Sequence, residues 1–203
     1  MKKITILFLV SFLSLHSCKK EAQTSNSPTT EKTETKGSSY SADYIISDKE
    51  GKEIAGFTVN PPKVQFGSET FTAKEKEDKR KYYSNGTQRY EVKLKDDTYK
   101  LRDAGSKLLW KVKTYPDKIK IADNEENLNP YEVKNNNGAI EVSKDGKVIN
   151  TMKITGNEIS VNGQPAYKIS KTSDSFAWGI LSIDQIPMDQ RLLLLTEFLY
   201  QKK

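Results

Sequence analysis

Four Asx-Gly pairs punctuate this chain, and between them apolar and charged residues alternate. The pairs are Asn85-Gly86, Asn137-Gly138, Asp145-Gly146 and Asn162-Gly163. A tight two-residue hairpin turn needs positive φ, which Asn, Asp and Gly tolerate best. The segments beside them have period two: Tyr90-Glu91-Val92-Lys93-Leu94, Lys118-Ile119-Lys120-Ile121, Ile140-Glu141-Val142 and Ile159-Ser160-Val161. Successive side chains on a strand point to opposite faces, so this pattern makes one face apolar and the other polar. Carried from Tyr40 to Ser170, it predicts a mainly β domain with about 12–14 short antiparallel strands. That many strands in one domain predict a meander closed as a barrel or packed as a sandwich.

An internal repeat supports a closed sheet. Tyr44, Ile46, Asp48, Lys52, Ile54, Pro61, Lys63, Val64 and Phe66 recur 55 residues later as Tyr99, Leu101, Asp103, Lys107, Leu109, Pro116, Lys118, Ile119 and Ile121. The shared form is strand, Asp turn, strand, Pro turn, strand. A fainter third copy follows 40 residues on, with Lys147, Ile149, Asn157, Ile159 and Val161 matching Lys107, Leu109, Asp117, Ile119 and Ile121. A duplicated meander accounts for the matches.

The C-terminal segment 174–201 reads differently. Thr172-Ser173-Asp174 offers a cap for a short helix over Phe176–Leu181. Pro187 suits the first turn of a second helix running to about Gln201. Its Leu192-Leu193-Leu194-Leu195 run points leucine almost all round, and such a helix needs burial on every side. One or two apolar helices packed in or on the β structure are therefore expected, completing a single domain over 41–203.

The N-terminus carries an address. Lys2 and Lys3 precede the apolar run Ile4–Val10, as in a secretory signal. Leu15-His16-Ser17-Cys18 then resembles the bacterial lipobox, departing from it at His16. The resemblance implies that residues 1–17 are removed and that Cys18, the only cysteine, is diacylated. Two or three buried acyl chains give stable membrane attachment. Residues 18–40 hold no large apolar side chain before Tyr40 and read as the lipidated Cys with a disordered tether. About twenty such residues reach roughly 25 Å. Lys19-Lys20-Glu21 follows Cys18 where an inner-membrane retention signal has Asp, so the resemblance favours the outer membrane, with the leaflet open.

This processing would exclude much chemistry. It takes His16, the only histidine, and leaves Cys18 acylated. Ser-His-Asp and Cys-His catalysis, His- or Cys-bound zinc, His-ligated haem and intrachain disulfides then have no residues to use. Paired carboxylates, a Ser-Lys pair or an oxygen-ligated metal remain. No cofactor is expected. The chain's formal charge of +6 drops to +4 with the loss of Lys2 and Lys3. Lysines interleave with acids, as in Lys74-Glu75-Lys76-Glu77-Asp78-Lys79-Arg80-Lys81, which reads as a solvated face rather than a nucleic-acid or polyanion site.

Candidate sites are few. Asp123, Glu125 and Glu126, with a backbone carbonyl, are candidate Ca²⁺ ligands, although the EF-hand spacing and Gly are missing. The plainer reading is an acidic turn, and a glycosidase-like acid and base pair is a further alternative. Tyr82, Tyr83, Arg89 and Tyr90 flank the Asn85-Gly86 turn and form a candidate sugar or protein contact. Cross-strand tyrosines also simply stabilise hairpins. Trp110 and Trp178 fit a core, and Trp178 alternatively lines a ligand cavity.

The unit Tyr-x-Leu-x-Asp-x-x-x-Lys-x-Leu-Trp over Tyr99–Trp110, the strands of Ile140–Val161 and the apolar helix of Pro187–Tyr200 together resemble the tubby-like barrel. That superfamily includes phospholipid scramblase-like proteins and wraps about twelve strands around a C-terminal helix. The resemblance implies binding or membrane association rather than catalysis, and carries over no functional residue. Three functions follow in order: a non-catalytic envelope module that binds a protein or glycan or acts as a scaffold; a carrier of a lipid or small apolar ligand inside the barrel; a carboxylate-based enzyme.

Overall fold

The computed structural model describes residues 40–202, so the signal peptide, Cys18 and nearly all of the tether lie outside the described residues. Fourteen strands follow one another: β1 (Tyr44–Asp48), β2 (Glu53–Thr58), β3 (Lys63–Phe66), β4 (Glu69–Lys76), β5 (Lys79–Ser84), β6 (Thr87–Lys95) and β7 (Thr98–Asp103), then β8 (Leu108–Thr114), β9 (Lys118–Ala122), β10 (Tyr131–Asn136), β11 (Ala139–Lys144), β12 (Lys147–Thr155), β13 (Glu158–Val161) and β14 (Gln164–Ile169). Each pairs antiparallel with its neighbours in sequence, and β1 pairs with β14, so the meander closes as a barrel and not a sandwich. Closure leaves no sheet edge to template aggregation.

The turn chemistry is realised as the sequence implies. All four Asx-Gly pairs have positive φ at both residues, +50° and +76° at Asn85-Gly86 for example. The duplication is structural too. Asp48 and Asp103 each accept a bond on Oδ1 from the backbone N–H four residues on, at 2.8 Å from Lys52 and 2.9 Å from Lys107. Both Asp N–H groups bond back to the carbonyls of those lysines. β1–β2–β3 and β7–β8–β9 are thus the two copies of one meander.

The interior is apolar and filled. Ile46, Phe57, Phe71, Val92, Leu101, Ile119, Val142 and Ile159 point inward and are buried. Eight strands leave a lumen that side chains alone can fill, and diameter grows with strand number. Fourteen strands leave room for backbone, and the C-terminal segment occupies it. A 3-10 helix over Phe176–Ser182 comes first, with the Ser175 side chain accepting from the Ala177 N–H at 3.2 Å. Helix α1 (Met188–Gln201) follows, with Leu192 to Leu195 all buried. Gly179 lets the 3-10 helix touch the wall: a Cβ there would stand 2.6 Å from Val133 Cγ1 and 2.7 Å from Ile140 Cγ2. A barrel around an apolar C-terminal helix is the architecture the tubby-like resemblance implies, with fourteen strands in place of about twelve. Architecture alone does not place a chain in that superfamily.

The outer face is polar. On β6 it presents Thr87, Arg89, Glu91, Lys93 and Lys95. A membrane-spanning barrel needs an outward apolar band between aromatic girdles. Among the described residues the exposed large apolar side chains are Leu128, Val148 and Ile149. No helix among them is long and apolar enough to cross a membrane.

Candidate functional site

Two polar constellations stand out, one inside the barrel and one on its wall. The inner one starts on β5, where period two puts Arg80, Tyr82 and Ser84 on the inward face. Helix α1 brings Glu197 to them, a carboxylate with no solvent exposure. Arg80 Nε donates to Glu197 Oε1 at 2.9 Å and Oε2 at 3.1 Å, and its Nη2 also donates to Oε2. The Tyr82 hydroxyl donates to Glu197 Oε1 at 2.5 Å. Towards the rim, Arg80 Nη1 meets Glu75 at 3.2 Å, and the guanidinium lies 4.3 Å from the Tyr200 ring centroid.

Electrostatics follow from this geometry. Burial pushes the Tyr82 phenol well above its ordinary value, and the adjacent Glu197 carboxylate pushes it further. For Arg80, burial works against the charge, and Glu197 overcomes it through hydrogen bonds and attraction, so the guanidinium is held charged more firmly than usual. Further polar contacts line the same helix. Tyr99 donates to the Leu194 carbonyl at 2.8 Å, Tyr90 to Asp189 at 2.5 Å, and Trp110 Nε1 to Gln190 at 2.6 Å. These bonds fix depth and rotation for a helix whose leucines would pack in several orientations. With Arg80 and Tyr82 on it, the Glu197 carboxylate is engaged in holding the helix rather than free for a substrate.

The outer constellation lies on β6, β7 and β8. A cleft of about 640 Å³ runs there, lined by Lys93, Lys100, Arg102, Lys111 and Lys113, with Asp78, Asp96 and Asp97 at the turns. Glu125 reaches into this surface from the β9–β10 loop. It sits 2.6 Å from Lys100 Nζ and 2.5 Å from Arg102 Nη2, and Lys111 donates to its carbonyl at 2.5 Å. The hydrogen bond from Lys100 holds the Glu125 carboxyl below the usual carboxylate range; desolvation opposes it, and the hydrogen bond from Arg102 and the attraction of both cations add to the lowering.

No family model, no curated protein and no solved structure matches this chain.

Several sequence expectations are corrected by these positions. Tyr82 is not an exposed contact: it is fully buried on Glu197. Tyr90 also points inward, its ring 5.7 Å from that of Phe71. Tyr83 and Arg89 face outward, Tyr83 under Lys74 Nζ at 4.9 Å and Arg89 beside Glu69 at 3.7 Å. The four therefore do not share one surface, because neighbours on a strand take opposite faces. The calcium candidates Asp123, Glu125 and Glu126 are not brought together. Glu125 turns away to Lys100 and Arg102, Asn124 closes the loop through Leu128, and no cluster of three His, Cys, Asp or Glu exists among the described residues. Trp178 is fully buried, with ring centroids 5.7 Å from Tyr44 and 5.8 Å from Phe57.

Sequence reasoning missed Arg80 and Glu197. Arg80 sits in a run of charges that reads as solvated, yet the spacing Arg80, Tyr82, Ser84 assigns it to the apolar face. Glu197 is a lone charge between Leu195 and Phe198 on a helix that wants burial. A buried charge needs a partner, and that requirement was the available signal.

Proposed function

We propose that this protein is a non-catalytic, lipid-anchored envelope module that engages its partners through the outside of the barrel. The observation that supports this reading is the occupied interior. The space that would hold a ligand in a carrier contains Trp178 and Leu192–Leu195, packed at 0–1 % exposure, and the Tyr82 and Tyr99 hydroxyls facing it bond to α1. None of the principal clefts is lined by those residues. Lipidation at Cys18, outer-membrane residence and a protein or glycan partner belong to the same proposal, and rest on the lipobox resemblance and the polar wall.

Mass spectrometry of the chain extracted from bacterial membranes tests the proposal. Under denaturing conditions the reading expects a chain beginning at Cys18 with covalent acyl mass on it. Under native conditions it expects no further mass. A companion that leaves on denaturation would establish a carrier, and an unmodified Cys18 would remove the anchor.

A further inference from the structure

The barrel register brings together lysines that are far apart in sequence. Lys79 lies directly opposite Lys93, Lys93 opposite Lys100, and Lys100 opposite Lys111. One outward lysine from each of four consecutive strands thus forms an unbroken row across β5, β6, β7 and β8. The neighbouring row runs Lys81, Glu91, Arg102. Like charges directly opposite on paired strands are destabilising. Fold stability alone would not select this row.

The charge is only partly answered from within. Glu91 is shared among Lys79, Lys93 and Lys81 at 3.6, 3.9 and 3.9 Å. Glu125 serves Lys100 and Arg102. Glu91 and Glu125 thus answer the six cations of the two rows, Asp78, Asp96 and Asp97 line the cleft from its turns, and Arg102 Nε is buried with no hydrogen-bond partner. The cleft over β6–β8 makes the region concave, which focuses its positive potential.

We infer that this row and cleft bind a linear polyanion, a chain carrying closely spaced carboxylate or phosphate groups. Three features select that class. Neighbouring strands stand about 4.8 Å apart, so the row offers cations at short, regular intervals over about 14 Å. The row spans three of the fourteen strand intervals, about a fifth of the way round the wall. A flexible chain can follow that curve, whereas a flat bilayer meets a curved wall along a line. The cleft lining has no aromatic side chain, and proteins that hold single-stranded nucleic acid stack bases on aromatics. In this reading Glu125 occupies the Lys100–Arg102 pair until an external anion displaces it. The inference rests on the outer-wall reading proposed above and names the partner class.

The test uses the full chain and four probes: oligogalacturonate and inorganic polyphosphate of graded length, anionic phosphatidylglycerol vesicles and neutral vesicles. Binding is followed by calorimetry and co-sedimentation across a salt series. One variant is Lys93→Gln/Lys100→Gln/Lys111→Gln; the control is Lys134→Gln/Lys153→Gln/Lys168→Gln elsewhere on the barrel. Wild type and control are expected to bind either polymer more tightly as its length grows. The row variant should bind about tenfold or more weakly, with a shallower salt dependence. The better polymer identifies the anion. The row variant should also unfold at the same or higher urea concentration, since it relieves repulsion. Equal loss in both variants, binding to anionic vesicles alone, binding to no polymer, or a destabilised row variant would each overturn the inference. None of these outcomes alters the mass at Cys18 or the interior, so the two readings fail separately.

Discussion

Removing the charge of Glu197 should destabilise the barrel strongly, and removing its partner as well should restore much of the loss. Glu197 is fully buried and Arg80 is 4 % exposed, so neither has water to fall back on. Stranding one member of a buried pair costs about 3–5 kcal/mol. Glu197→Met also orphans the Tyr82 hydroxyl, about 1–3 kcal/mol. Arg80 keeps Glu75 at the rim, which draws the first figure to its lower end. We expect about 4 kcal/mol for Glu197→Met, a large share of the roughly 5–15 kcal/mol that stabilises a typical domain. Arg80→Met leaves a buried carboxylate with only Tyr82 and should cost a similar amount. In Arg80→Met/Glu197→Met both charges are gone and only the phenol is unpaired, so about 1–3 kcal/mol is expected. Urea unfolding of all four proteins, compared at a common slope, measures the cycle. A double variant that loses the sum of the single losses would refute the reasoning, because the pair would then not be coupled.

Other features give independent expectations. Gly179→Ala should cost about 1–3 kcal/mol in urea unfolding, since the new methyl overlaps Val133 and Ile140. Tyr99→Phe loses one buried bond to the Leu194 carbonyl and should cost about 1 kcal/mol by the same assay. Alkali should unfold the protein cooperatively. The Tyr82 and Tyr99 phenols ionise in the folded state only far above their unfolded value of about 10, so the folded state keeps protons that the unfolded state releases. Their contribution is complete below pH 10 and falls above it, by up to about 1.4 kcal/mol per pH unit for each phenol. Phenolate absorbance followed beside circular dichroism should show these two ionising only as the barrel opens.

The sequence determined the class of fold through local chemistry. Positive-φ turns at Asx-Gly pairs, period-two strands and an all-round apolar helix each depend on neighbours a few residues apart, and each is present. The 55-residue offset likewise announced two equivalent hairpins, down to the Asp48 and Asp103 bonds. The choice of barrel over sandwich was not local: it depended on β1 meeting β14, two strands more than a hundred residues apart. The same limit applies to the sites. Arg80 and Glu197 are 117 residues apart, and only closure around α1 makes them partners. The lysine row is equally silent in sequence, because its members lie on four separate strands that only the wall's register aligns. Pairing across strands decides which charges face one another, and pairing is a property of the folded barrel.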